Sequence, residues 1–133
     1  MARLEAVLAP VEDGEVVRDA ITRQVSELGG TFIWFDNRNA SIALTTGPRA
    51  MAVEVVLELR YGSELGVLVR SREVMGNGAP LSTAVLERLL AGLLTALPAA
   101  VVHFRSDRDG PIRQVAVTGP AGRDRESLRV GCD

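Results

Sequence analysis

His103 is the only histidine and Cys132 the only cysteine among 133 residues, so the two side chains that most often carry nucleophilic, acid–base or metal chemistry occur once each. A lone imidazole in the strand-like run 101–105, with Asp107 and Asp109 close by in sequence, is not a general base without a partner and a pocket. One histidine and one cysteine near the C-terminus cannot supply the nitrogen and sulfur ligands of a zinc site. A nucleophilic serine needs a strained turn such as Gly-x-Ser-x-Gly, and the chain contains none. Asp36, Glu54, Glu58 and Glu73 have no spacing that assembles two carboxylates into one site. The sequence therefore assigns no catalytic residue, no metal ligand and no cofactor, and leans away from an enzyme.

Two other features bear on ligand chemistry. Gly76-Asn77-Gly78 lies just before a helix start, where backbone amides attract anions. It lacks the spacing of a dinucleotide fingerprint or a P-loop, and there is no lysine to complete the latter. An ordinary connecting loop is the simpler reading. The Gly119–Ser127 stretch fails the same test. Arg70 and Arg72 could grip a carboxylate or phosphate with their guanidinium forks, or could simply pair with Glu54 and Glu58 across a hairpin.

At 47% hydrophobic and 24% charged residues, the composition is that of an ordinary globular domain, with enough chain for a core that needs no staples. No apolar run approaches the ~20 residues that cross a bilayer. Met1-Ala2-Arg3-Leu4-Glu5 lacks the basic-then-apolar plan of a signal peptide, and a lone cysteine forms no internal disulfide. A cytoplasmic location is expected. Net charge is −2, and all fifteen basic residues are arginine, a bias that a GC-rich coding sequence explains without any functional role. The near-neutral balance gives no global drive toward nucleic acid.

The elements that would position any site are organised around residues 51–74. Met51, Val53, Val55, Leu57, Leu59 and Tyr61 alternate with Ala52, Glu54, Val56, Glu58 and Arg60, the period of a strand with one apolar face. Leu65, Val67 and Val69 continue that face on a return strand. Pairing Tyr61 with Leu65 across a Gly62-Ser63-Glu64 loop sets Leu59 against Val67, Leu57 against Val69 and Glu54 opposite Arg72.

Ahead of this hairpin, residues 3–9 are good helix formers stopped by Pro10. Asp13 is placed to cap an amphipathic helix carrying Val17, Ala20, Ile21, Val25 and Leu28, ended by Gly29-Gly30. Residues 31–35 and 40–45 read as two strands around a polar turn, with Trp34 paired to Ile42 and Phe32 to Leu44.

After the hairpin, Ser82 is placed to cap a second helix, with Leu81 and Leu86 as its staple. That helix runs to Leu97 before Pro98. Its stripe of Val85, Leu86, Leu89, Leu90, Leu93, Leu94 and Leu97 is wider than one sheet contact requires. The first helix or a second copy of the chain would cover the remainder. Residues 101–105 and 112–118 read as a last hairpin, with Val102 and Phe104 on one apolar face. Residues 119–133 read as a tail to a single domain spanning 1–118.

These elements predict an α+β fold: an antiparallel sheet of about six strands, in the order α-ββββ-α-ββ, with two helices on one face. The expected core is Val17, Ile21, Val25, Phe32, Trp34, Ile42, Leu44, Val53, Val55, Leu57, Leu59, Val67, Val69, Leu86, Leu89, Leu90 and Leu93, and Tyr61 is also assigned to it. In element order alone the chain resembles small secretion-chaperone-like adaptors; no motif carries that likeness.

The second sheet face is the informative one. Ile33, Phe35, Val56 and Leu68 lie on it among Glu54, Glu58, Arg70 and Arg72, a mixture better suited to contact than to solvent. The expectation is a non-enzymatic protein-interaction module, adaptor-like, chaperone-like or regulatory. Its partner would be a second copy of itself or another protein, with neither membrane nor nucleic acid involved. The alternative is a small-molecule or anion-binding domain with its pocket between sheet and second helix, and Arg70, Arg72 or the Gly76-Asn77-Gly78 loop at its mouth.

Overall fold

A computed structural model describes residues 1–110. The fold is α+β: six antiparallel strands in the order β2-β3-β4-β5-β1-β6, with helices packed against the sheet. The strands are β1 (Ala2–Ala9), β2 (Thr31–Trp34), β3 (Asn39–Thr46), β4 (Met51–Arg60), β5 (Glu64–Ser71) and β6 (Val101–Arg105). The helices are α1 (Glu15–Val25), α2 (Pro80–Ala96) and the single turn α3 (Ser106–Asp109). Among the described residues no helix is long and apolar enough to cross a membrane.

The start of the chain departs from the sequence reading. Residues 3–9 form no helix; they lie within β1, hydrogen-bonded to β5 on one side and β6 on the other. Ala2, Leu4, Ala6 and Leu8 are buried while Arg3 is exposed and Glu5 half-buried. Helix propensity separates such residues by only a few tenths of a kcal/mol, and full pairing on both edges with burial of two leucines outweighs it. The order among described residues is thus β-α-ββββ-α-β. The expected strand 112–118 and tail 119–133 lie outside the described residues.

The registers also shift. In the central hairpin Leu59 faces Leu65, Leu57 faces Val67, Val55 faces Val69 and Glu54 faces Arg70. The loop is Tyr61-Gly62-Ser63, with Gly62 at φ 89° and Ser63 at φ 62°, so Glu64 belongs to β5 opposite Arg60. A displacement of two residues preserves the side-chain parity of both strands. It removes Tyr61 from the core, leaving it 84% exposed with the Arg38 guanidinium 3.8 Å above its ring.

The β2–β3 pairing shifts in the same way: Trp34 faces Ala40 and Phe32 faces Ile42. Here the Asp36 carboxylate sets the turn, accepting hydrogen bonds from the backbone N–H groups of Arg38 (2.7 Å) and Asn39 (2.8 Å). Those bonds and the Asn39 side-chain amide hold its pKa below the ordinary carboxylate value.

All seventeen expected core residues either form the main cluster or pack against it. Ile21 and Val25 of α1 join Leu86, Leu89, Leu90 and Leu93 of α2 in that cluster, and each fully buried leucine stabilises by about 1.5–3 kcal/mol. The wide stripe of α2 is used within the chain: α2 contacts β1, β5 and α1. At Gly92 the two helices are in ordinary packing contact, and an added Cβ would sit 3.7 Å from the Gln24 carbonyl oxygen.

Neither expected cap forms. Gly14 occupies the N-cap of α1; Asp13 instead pairs with Arg18 (3.3 Å) and Arg38 (2.9 Å). Ser82 is buried in the first turn of α2, 2.7 Å from the Ser71 hydroxyl. Glu73 caps α2 from outside, accepting from the backbone amides of Leu81 (2.9 Å) and Ser82 (2.8 Å).

A candidate interaction surface

The sheet face turned away from α1 and α2, the outer face, carries seven of the eight residues singled out from sequence. Strand pairing fixes their neighbours, because residues directly opposite one another share a face. One straight row crosses five strands: Ile33, Ser41, Val56, Leu68 and Glu5. The row on one side is Thr31, Ala43, Glu54, Arg70 and Arg3. On the other side Glu58, Gly66 and Val7 are in line, with Phe35 at the β2 end. Arg72, the eighth, follows β5 by one residue and is exposed.

The result is an apolar strip with charged rims. Val56 and Leu68 are half-buried at its centre, while Ile33 (49% exposed) and Phe35 (67% exposed) stand open at the β2 edge. Glu54 pairs with Arg70, Arg3 with Glu5 at 3.0 Å, and Arg60 with Glu58 at 2.9 Å. Arg60 lies across Gly66, where any Cβ would come within 2.5 Å of its guanidinium, and it reaches Glu64 at 3.9 Å. A shallow depression of about 190 Å³ lies among Val56, Leu68, Arg3, Glu5, Glu58 and Arg60. Since these charges are matched by neighbours, the face presents no strong field of either sign.

Sequence reasoning missed several members. Arg3, Glu5 and Val7 lay in the stretch read as a helix, although the apolar residues Ala2, Leu4, Ala6 and Leu8 alternate there as in a strand. Phe104 is missed for a different reason. On β6 the pairing runs Arg105–Ala6, Phe104–Val7, then Val102–Leu8, skipping His103. This bulge flips the parity, so Val102 packs on the main core while Phe104 shares the outer face with buried Val7. Val102 and Phe104 therefore do not share a face as expected, and no spacing signal in the sequence marks the bulge. Arg105 turns to the helix side, where it pairs with Glu87 of α2 and with Asp107.

The remaining candidates are scattered. His103 is exposed in the bulge. Arg70 is held by Glu54 on the outer face, away from α2, so it does not stand at the mouth of a sheet–helix pocket. The loop containing Gly76 and Gly78 folds into a 3-10 turn, Met75–Asn77, before α2. Cys132 lies outside the described residues. Among the described residues no cluster of three or more His, Cys, Asp or Glu side chains is placed to hold a metal.

The β2 edge completes the surface. Trp34 is anchored inward, its indole N–H donating to the Thr22 hydroxyl at 2.7 Å, with its ring 5.7 Å from that of Phe32. Comparison with known proteins adds no relative: no protein-family model matches the chain, and no curated protein matches its sequence.

Proposed function

We propose that this chain is a small cytoplasmic, non-enzymatic interaction module that works as a homodimer, with its contact surface at the β2 end of the outer sheet face. The observation that carries this reading is the pair Ile33 and Phe35, 49% and 67% exposed, standing side by side at the end of an apolar strip rimmed by mutually paired charges. An apolar centre with a polar rim is the anatomy of a protein–protein contact. Matched charges favour a partner of mixed sign, such as a second copy, over a polyanion.

The wide apolar stripe of α2 is used by α1 and the sheet, which favours the outer sheet face over that helix as the contact surface. Light scattering tests the reading. The wild type is expected at twice the 14.2 kDa chain mass at micromolar concentration, and Ile33→Asp/Phe35→Asp at the single-chain mass. A wild type that stays at the single-chain mass throughout the micromolar range contradicts it.

A further inference from the structure

The two edges of the sheet are built differently. Edge strands expose unpaired backbone groups and are usually protected by charges, proline or bulges. At one edge, β6 is interrupted by the bulge at His103 and runs directly into α3. At the other, β2 and the residue after it read Thr31-Phe32-Ile33-Trp34-Phe35, with no charge and no proline. Its register with β3 is continuous from Thr31 to Trp34.

The hydrogen-bonding phase of β2 is set at its end. The Phe35 amide donates to the Asn39 carbonyl at 2.8 Å. Backbone groups in an antiparallel pair alternate between facing the neighbour and facing away. Phe35, Ile33 and Thr31 therefore direct N–H and C=O toward β3, and Phe32 and Trp34 direct theirs outward, at an edge that no other described strand covers.

We infer that β2 pairs antiparallel with β2 of a second copy of this chain about a two-fold axis through Ile33, making one sheet continuous across the dimer. This deepens the homodimer reading above and rests on it. Only an axis through a residue, not between residues, keeps opposed side chains on matching faces, since side chains alternate with period two. An axis at Ile33 sets Phe32 against the partner subunit's Trp34. Their outward N–H and C=O groups then satisfy each other reciprocally, and the symmetry repeats the exchange. Ile33 meets the partner subunit's Ile33 on the outer face, and Phe35 meets the partner's Thr31. Asp36 then falls opposite the partner's Gly30, where no side chain obstructs the approach. The interface is isologous, as a two-fold requires, and it covers the two most exposed apolar side chains of the strip.

Disulfide trapping in a Cys132→Ser background tests the register. Opposed residues in a non-hydrogen-bonded antiparallel pair have Cα atoms about 4.5 Å apart, within the range a disulfide spans. Ile33→Cys is expected to convert to a covalent dimer under mild oxidation. Phe35→Cys, although more exposed, is expected to remain reducible monomer, because its opposite number is Thr31 rather than itself. If Phe35→Cys cross-links as readily as Ile33→Cys, or Ile33→Cys does not cross-link, the register is wrong. The wild-type mass decides the other question: a non-covalent dimer whose Ile33→Cys variant fails to cross-link overturns this inference alone. A wild type that is monomeric by light scattering overturns the homodimer reading as well. A monomer that instead captures an added Thr-Phe-Ile-Trp-Phe peptide at β2 would assign the edge to a foreign strand and overturn self-pairing.

Discussion

The hydroxyls of Ser71 and Ser82 lie 2.7 Å apart, both buried, joining the last residue of β5 to the first turn of α2. The Ser71 oxygen also accepts the Glu73 amide at 3.0 Å. Removing one hydroxyl leaves its partner buried without that bond, a loss of about 1–3 kcal/mol. Ser82→Ala is therefore expected to lower the urea midpoint clearly. The double variant Ser71→Ala/Ser82→Ala should cost less than the sum of the single changes. Strict additivity in that cycle would show the contact to be energetically empty.

Glu73 supplies the cap that Ser82 does not. Burial pushes its carboxyl pKa up, but the Leu81 and Ser82 amides outweigh that and hold it below the ordinary carboxylate value. A depressed folded-state pKa means the stabilisation is complete above the unfolded pKa and is lost as pH falls through the folded one. Chemical denaturation is expected to show Glu73→Gln less stable by about 1 kcal/mol at neutral pH. The gap to wild type should narrow as pH falls below the ordinary carboxylate range and close once pH passes the lowered folded-state pKa. A gap that persists unchanged in acid would remove the carboxylate from the cap.

Arg38 ties three segments together. It pairs with Asp13 at 2.9 Å, donates to the Leu59 carbonyl at 2.9 Å and stacks on Tyr61 at 3.8 Å. Tyr61→Ala removes only the stacking, worth about 0.5–1 kcal/mol at an exposed site. Arg38→Ala removes all three contacts and should cost more. Equal thermal shifts for the two variants would mean that the ring carries the whole effect.

Gly30 and Gly66 separate two kinds of close approach. At Gly30, with φ 81°, a Cβ would lie 2.3 Å from the Ala43 carbonyl oxygen, a backbone atom fixed in the sheet. At Gly66 the obstruction is the mobile guanidinium of Arg60. Gly30→Ala is expected to destabilise by more than about 1 kcal/mol and to loosen β2. Gly66→Ala, at a position buried beneath Arg60, should cost less, because the end of a flexible side chain can swing aside where a backbone carbonyl cannot. Denaturant midpoints for the two variants check this, and the reverse ranking would contradict the geometry.

What was legible in the sequence was parity. The alternation in residues 51–60 identified the buried and outer faces of β4 correctly, and the leucines of α2 marked its buried stripe. Registers were displaced by two because the turns were set by groups whose roles depend on folding: Asp36 gripping two backbone amides, and Ser63 adopting a positive φ. Strand β1 was hidden because Arg, Leu, Glu and Ala favour helix locally. Its strand character comes from insertion between β5 and β6, partners more than fifty residues away in the chain. The bulge at His103 is likewise a long-range fact, and it alone decides which face Phe104 occupies.

Hydrogen exchange at the amides of Phe32 and Trp34 tests the central claim, that β2 is the contact edge of a homodimer, most directly. Both amides face outward from the sheet, so in a monomer they exchange freely while Ile33, bonded to β3, is protected. Protection of Phe32 and Trp34 should rise as the protein passes from low to high micromolar concentration, with Ile33 protected throughout. Exchange of Phe32 and Trp34 that stays fast at every concentration would contradict it.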